Sequence, residues 1–278
     1  MINTLLLAVM VLLLADGQGT AYAAAAVPAV TKPEAGGVKI EDRTWQKGLY
    51  VDITCRNNSA NHTTYDADYD DCQCIADIHY PQISGLKDMA AQNAINESFK
   101  NMAVQAQCKG ETNTDQSTSK QQDSVSQHYE TTLQTPGVIA FKFTDWAYTG
   151  GAHGNGSIDG VIIDVDKAKV LSLSDIFAAT ELAAVNKQIY DALSARSEDQ
   201  VFHDQIEQRK DKFIANGECQ GCTLTLDGEG IKVVFQTYEV ASFADGNIEV
   251  PIDSKYLSNP TIVQALVKPK SIPLAEKK

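Results

Sequence analysis

The sequence is short of basic charge. Its 278 residues carry 23 Lys and Arg against 36 Asp and Glu, a formal net charge of −13. Such a chain repels polyanions, which excludes nucleic acid and anionic membrane surfaces as partners and leaves room for a cationic one. Long apolar runs are missing after the N-terminus. Leu5 to Leu14 has the length of a signal-peptide core, too short to span a bilayer comfortably, and Ala21-Tyr22-Ala23 follows as a small-x-small cleavage pattern. No Cys follows that run to take a lipid anchor, and no later run has the length of a membrane span. The expectation is an exported chain, periplasmic or secreted. Also missing are a G-x-S-x-G nucleophile turn, a metal-ligand constellation and a cofactor fingerprint. No catalytic residue, metal or cofactor is therefore expected.

Cysteine is present in an even number: Cys55, Cys72, Cys74, Cys108, Cys219 and Cys222. In an exported chain that favours disulfides. Cys219 is expected to pair locally with Cys222, and the other four to be tied together in the N-terminal half. Two rival readings stand beside this one. Cys-x-Cys with Cys-Gln-Gly-Cys offers four zinc ligands, but from distant halves of the chain. Cys219-x-x-Cys222 as a redox pair wants a preceding strand and a following helix, whereas the pattern here is helix before and strand after. Asp66-x-Asp68-x-Asp70 with Asp77 resembles a calcium loop. Asp71 occupies the place of the turn glycine, however, and Asp77 that of the bidentate Glu, so a solvated acidic loop is the better reading.

The chain divides into a signal peptide (1–23), a flexible leader (24–48), a strand-helix module (49–125), a C-terminal module (126–259) and a tail (260–278). In the first module, residues 74–80 alternate as a strand that Pro81 closes, and residues 86–107 show a helical face of Ile95, Phe99, Met102 and Ala106. The second module opens on strands. Val138, Ala140 and Lys142 point one way and Ile139, Phe141 and Phe143 the other; Val161 to Val165 follows. Ser174 then reads as an N-cap, and Leu182, Val185, Ile189 and Leu193 as a helical stripe. Strand patterns return from Thr223, Ile231 and Ile248. Strands, helices, then strands joined by hairpin turns predict an α+β fold, mainly an antiparallel sheet with packed helices.

Residues 148–156 place four glycines among nine residues, with Tyr148, His153 and Asn155 between them. This density predicts a glycine-built loop at a strand end rather than an ordinary strand. The preferred reading is that His153 and Asn155 satisfy the loop's own backbone. A general base at His153 would need a partner such as Asp159 or Glu239, and Ser157 stands too close in sequence to be a persuasive nucleophile. Tyr238, after the strand ending at Phe235, has the apolar body and polar tip of an interface anchor, and Glu239 stands beside it.

The run Tyr148-Thr149-Gly150-Gly151-Ala152-His153-Gly154-Asn155 resembles the Tyr-x-Gly-Gly-Ala-His-x-Asn signature of the RsiV-like extracellular domain family. Leu171 to Phe177 resembles that family's Leu-x-Asp-Leu-Phe block, and Phe235 to Gly246 its Phe-x-x-Tyr-Glu-Val-Ala-x-Tyr-Ala-x-Gly block. Phe243 replaces the tyrosine. The strand-Pro-helix from Ile78 to Phe99 is similar to the smaller module that precedes the domain, as in the N-terminal region of the deacetylase PdaC. The resemblance implies an α+β domain similar to a subdomain of the Hsp70 ATPase fold. One branch of the family is an anti-sigma factor whose outer domain binds lysozyme, and another precedes a peptidoglycan deacetylase. Neither a cytosolic anti-sigma segment nor a deacetylase region is recognisable here. What the resemblance implies is binding of a lysozyme-like or other cationic protein, or of cell-wall glycan, through Tyr148, Gly150, Gly151, His153, Asn155, Tyr238 and Glu239. An envelope-polymer hydrolase using His153, or an orphan structural domain, are the alternatives.

Overall fold

Alternation along Val138 to Phe143 organises the fold, because it gives one strand two buried faces. In the computed structural model, which describes residues 37–44, 74–106, 123–148 and 151–267, this strand lies inside a six-stranded sheet. The sheet order is β1 (Lys39–Thr44), β2 (Cys74–Ser84), β3 (Asp123–Gln134), β4 (Val138–Tyr148), β5 (Asn155–Asp164) and β6 (Lys169–Val170). All neighbours are antiparallel except β2 and β3, which run parallel. The crossover between them carries helix α1 (Met89–Ala106). Asp88 caps that helix, accepting from the Ala90 and Ala91 N–H groups. Ile95 and Phe99 are buried as the stripe requires, with Ala103 in place of Ala106 on the buried face. They meet Ile139, Phe141 and Phe143 across the sheet, and the Phe99 and Phe141 rings pack edge-on at 5.4 Å.

The opposite face of β4 and β5 carries Val138, Ala140 and Ile162 into a larger core. A second sheet covers it: β9 (Cys222–Asp227), β10 (Gly230–Phe235) and β11 (Ile248–Pro251), with β10 central. Helices α2 (Leu173–Ile176), α3 (Leu182–Ser194) and α4 (His203–Arg209) complete the core, with Val185, Ile189 and Leu193 buried as the stripe predicts. A two-stranded ribbon, β7 (Ile214–Ala215) and β8 (Glu218–Cys219), leads into β9. The two sheets come into close backbone contact at Gly160. A Cβ there would fall 1.8 Å from the Leu224 carbonyl oxygen, so only glycine fits. The fold class is α+β, as expected.

Several local expectations are corrected. Residues 39–44, expected within a flexible leader, form edge strand β1; their charged residues give no strand alternation, while Val38 and Ile40 still pack on the α1 side. β2 continues through Pro81 to Ser84. It has parted from β3 after Ile78, so at Pro81 it has a partner on one side only, and the missing N–H can point away from the ladder. The N-cap of α2 is Ser172, not Ser174, in a reciprocal capping box with Asp175. The expected tail begins with helix α5 (Pro260–Leu266), capped by Asn259 and started by Pro260. Cys219 and Cys222 are joined as a disulfide, with 5.2 Å between their Cα atoms. Cys55, Cys72, Cys108, Gly150 and the acidic residues Asp66 to Asp71 lie outside the described residues, as does the side chain of Cys74. Among the described residues, no helix is long and apolar enough to cross a membrane.

Candidate functional site

Both ends of the glycine run are strand, Tyr148 closing β4 and Asn155 and Gly156 belonging to β5. Asn155 and Gly156 open β5 opposite Ala147 and Trp146 of β4. The reason is the Trp146 indole, which lies across this corner. A Cβ on Gly154 would come within 2.4 Å of its ring and one on Gly156 within 3.3 Å. These two glycines make room for an aromatic side chain that covers their bare backbone. Trp146 itself remains 40% exposed. At the bend, Gly151 takes φ +96°, and the Tyr148 hydroxyl donates to its carbonyl at 3.1 Å.

His153 sits on the outer side of this bend. Its Nδ1 is 2.9 Å from the Gly154 carbonyl oxygen and its Nε2 is 3.2 Å from the Tyr238 hydroxyl. A carbonyl only accepts, so the neutral ring carries its proton on Nδ1, and Nε2 accepts from Tyr238. The ring also stacks on Phe243 at 3.9 Å and 18°. Neither Asp159 nor Glu239 is the partner of the imidazole. The histidine is held by backbone, phenol and an aromatic face, which fixes its position.

Tyr238 belongs to a second bend, after β10. It is held at φ +69°, a left-handed conformation uncommon for a non-glycine residue. Its N–H donates to Ala241 O at 3.1 Å, and the Glu239 N–H to Gln236 O at 3.2 Å. The Gln236 side-chain amide clasps the Ile158 backbone from both sides, accepting from its N–H at 2.9 Å and donating to its carbonyl at 2.6 Å. This clasp docks the Tyr238 bend against β5. Glu239 turns the other way. Arg209 reaches its carboxylate at 3.2 Å and its carbonyl at 3.1 Å, and also donates to the Gln220 carbonyl. Gly221 (φ +62°) leaves room for that carboxylate. Glu239 thus ties the bend to α4 and to the disulfide hairpin.

The result is an aromatic platform of Tyr238, Phe243 and His153 beside exposed Trp146, with Tyr238 51% exposed. At the same end of β4 and β5, Asp145 faces Ser157 at 3.4 Å. Burial first, and then the charge of Asp159, push the Asp145 carboxyl up to about 6. One of its oxygens is buried without a hydrogen-bond partner, which adds to the cost of the charged form. Asp159 shifts upward as well, by burial of its carboxyl group, although solvent touches much of the residue.

The structure brings Tyr148, Gly151, His153 and Tyr238 together. Asn155 is a strand residue at the edge of the group, and Glu239 serves as a strut behind it. Sequence reasoning missed the roles of Gln236 and Arg209, which depend on tertiary contacts. It also missed a cluster of Asp77, His79 and His128 whose ligating atoms all lie within 4.8 Å of one another.

Residues 69–156 match the family model described as Deacetylase PdaC, and residues 174–255 match that of a protein of unknown function, DUF3298. A search of curated proteins found no match. The chain is similar to a solved DUF3298 family member from Bacteroides fragilis at 16% identity, covering 69% of this chain and 88% of that one with a TM-score of 0.47. It is similar to another, from Pseudomonas aeruginosa PAO1, at 15% identity, covering 81% and 94% with a TM-score of 0.46.

Proposed function

We propose that this chain, in which a PdaC-like region precedes a DUF3298 region, is an exported binding module of the cell envelope, periplasmic or secreted. It takes a cationic, lysozyme-like protein against the aromatic platform. The observation that carries this reading is the rigid presentation of Tyr238, whose phenol is exposed while its backbone and hydroxyl are both held. Preordered aromatic side chains lose little entropy on binding and make strong interface anchors. Arg and Lys side chains of a basic partner can stack over these rings. Exposed Asp245 beside Phe243, and the net charge of −13, favour approach of such a partner.

Calorimetric titration of the full chain with a lysozyme, at low and at high salt, tests the reading. Binding at low salt that weakens as salt rises is expected. Absence of heat at low salt, with a peptidoglycan oligosaccharide binding instead, would move the platform from protein to glycan recognition. One observation favours a second reading, hydrolysis of an envelope polymer. A carboxyl near neutral pKa beside another carboxylate, as at Asp145 and Asp159, suits a general acid. Turnover of peptidoglycan fragments that disappears in Asp145→Asn would support it.

A further inference from the structure

Strand pairing in the first half of the sheet gathers two histidines and two aspartates from three strands. Asp77 and His79 are two residues apart on β2 and share one side, while Ile78 between them is buried. β2 pairs in parallel with β3 as far as Ile78 and Gln127, which sets His79 next to His128. Their rings stack at 5.3 Å and 23°. β1 pairs with β2 on the other side and brings Asp42 to His79. Asp42 Oδ2 lies 3.0 Å from His79 Nδ1. The Nε2 atoms of both rings turn to one carboxylate, 3.2 Å from His79 to Asp77 Oδ1 and 3.3 Å from His128 to Asp77 Oδ2.

We propose that Asp77, His79 and His128 bind a divalent transition-metal ion of the Zn²⁺ class, with Asp42 as the residue that orients His79. Bonds of about 2.0–2.1 Å at tetrahedral angles set neighbouring ligand atoms roughly 3.3 Å apart. The nitrogen–oxygen separations already have that value. Asp42 accepts the Nδ1 proton and so turns the Nε2 lone pair of His79 inward, the carboxylate–histidine arrangement that supports a metal ligand. Two imidazoles with one carboxylate suit Zn²⁺, Ni²⁺ or Cu²⁺ and not the all-oxygen preference of Ca²⁺ or Mg²⁺. The side chains of Asp77, His79 and His128 are 41%, 31% and 52% exposed, so an ion reaches them from solvent and a water completes the coordination. The ion would clip the parallel seam between β2 and β3, the pairing geometry that is weaker per residue. The Asp42 carboxylate also acts on Tyr129, whose phenol is pushed up to about 12 by burial and then by that charge.

The competing account is an ion-pair network, with a protonated His79 between Asp42 and Asp77. Zn²⁺ titration of the tag-free full chain by calorimetry, paired with Co²⁺ absorption and thermal melting, separates the two. Wild type should bind one equivalent, show the intense visible bands of four-coordinate Co²⁺, and melt higher with Zn²⁺. His128→Gln, at an exposed position, should lose saturable binding and the metal-dependent rise in melting temperature. Asp42→Asn should weaken binding about 10–100-fold. His203→Gln, whose ring meets the Arg196 carbonyl elsewhere, should bind as wild type does. Wild type without saturable Zn²⁺ binding, or a folded His128→Gln that binds as tightly as wild type, would overturn the proposal and leave the ion-pair network.

Discussion

Two histidine settings in this molecule invite comparison. His153 lies in a glycine-built bend, holds a backbone carbonyl and a phenol, and stacks on Phe243. His79 and His128 lie in plain strands, and their ring nitrogens meet carboxylates. The first setting is conspicuous in sequence, and its ring nitrogens meet neutral groups. The second is inconspicuous in sequence and rich in ligating atoms. A histidine's role is set by what its two nitrogens face, and that is decided by strand pairing and loop closure rather than by flanking residues.

The largest expected effect strikes the support of the first setting. Gly160→Ala drives a methyl into the Leu224 backbone beneath β5. Urea unfolding should show a loss of about 3 kcal/mol or more. A change under 1 kcal/mol would mean the two sheets are not locked there. Next, Tyr238→Ala should weaken the proposed complex with a lysozyme by about 2 kcal/mol, roughly 30-fold, while leaving Zn²⁺ affinity unchanged. His128→Gln should do the reverse, so that the two variants separate the two sites.

A smaller effect concerns pH. The Asp145 carboxyl rises from 3.8 to about 6 on folding, so the folded state holds its proton more tightly than the unfolded chain. Its contribution is fully present below about pH 4, is lost as pH rises to about 6, and stays lost above that. Asp145→Asn should flatten this decline and raise stability at pH 7 by about 1 kcal/mol. Melts at several pH values check it; an unchanged slope would refute the shift. An effect of similar size belongs to Gly151→Ala. Nothing crowds a Cβ there, so only the φ of +96° is penalised, by about 1 kcal/mol.

The legible parts of the sequence were those governed by local periodicity. Val138 to Phe143 lies as its alternation requires, with one set of side chains in each core, and the Val185, Ile189 and Leu193 stripe lies as its helical spacing requires, with its one apolar face buried. β1 was not legible, since an edge strand of charged residues is defined by its neighbour and not by its own pattern. Pro81 misled because a proline ends a strand only where a ladder needs its N–H. In the candidate site, the loop residues were visible as a motif. Gln236 and Arg209 were not, being contacts to Ile158 and Glu239 far along the chain. The His79–His128 pair was hidden for the same reason, its spacing being created by the parallel crossover.

The central claim is that His153 braces Tyr238 for recognition and does not react. Titration of lysozyme into His153→Ala measures it most directly. With the fold intact, affinity should fall about 10-fold, close to 1.4 kcal/mol, because the phenol loses its acceptor and Phe243 its stacking partner. Affinity equal to wild type, in a variant that has lost turnover of a peptidoglycan fragment, would contradict it.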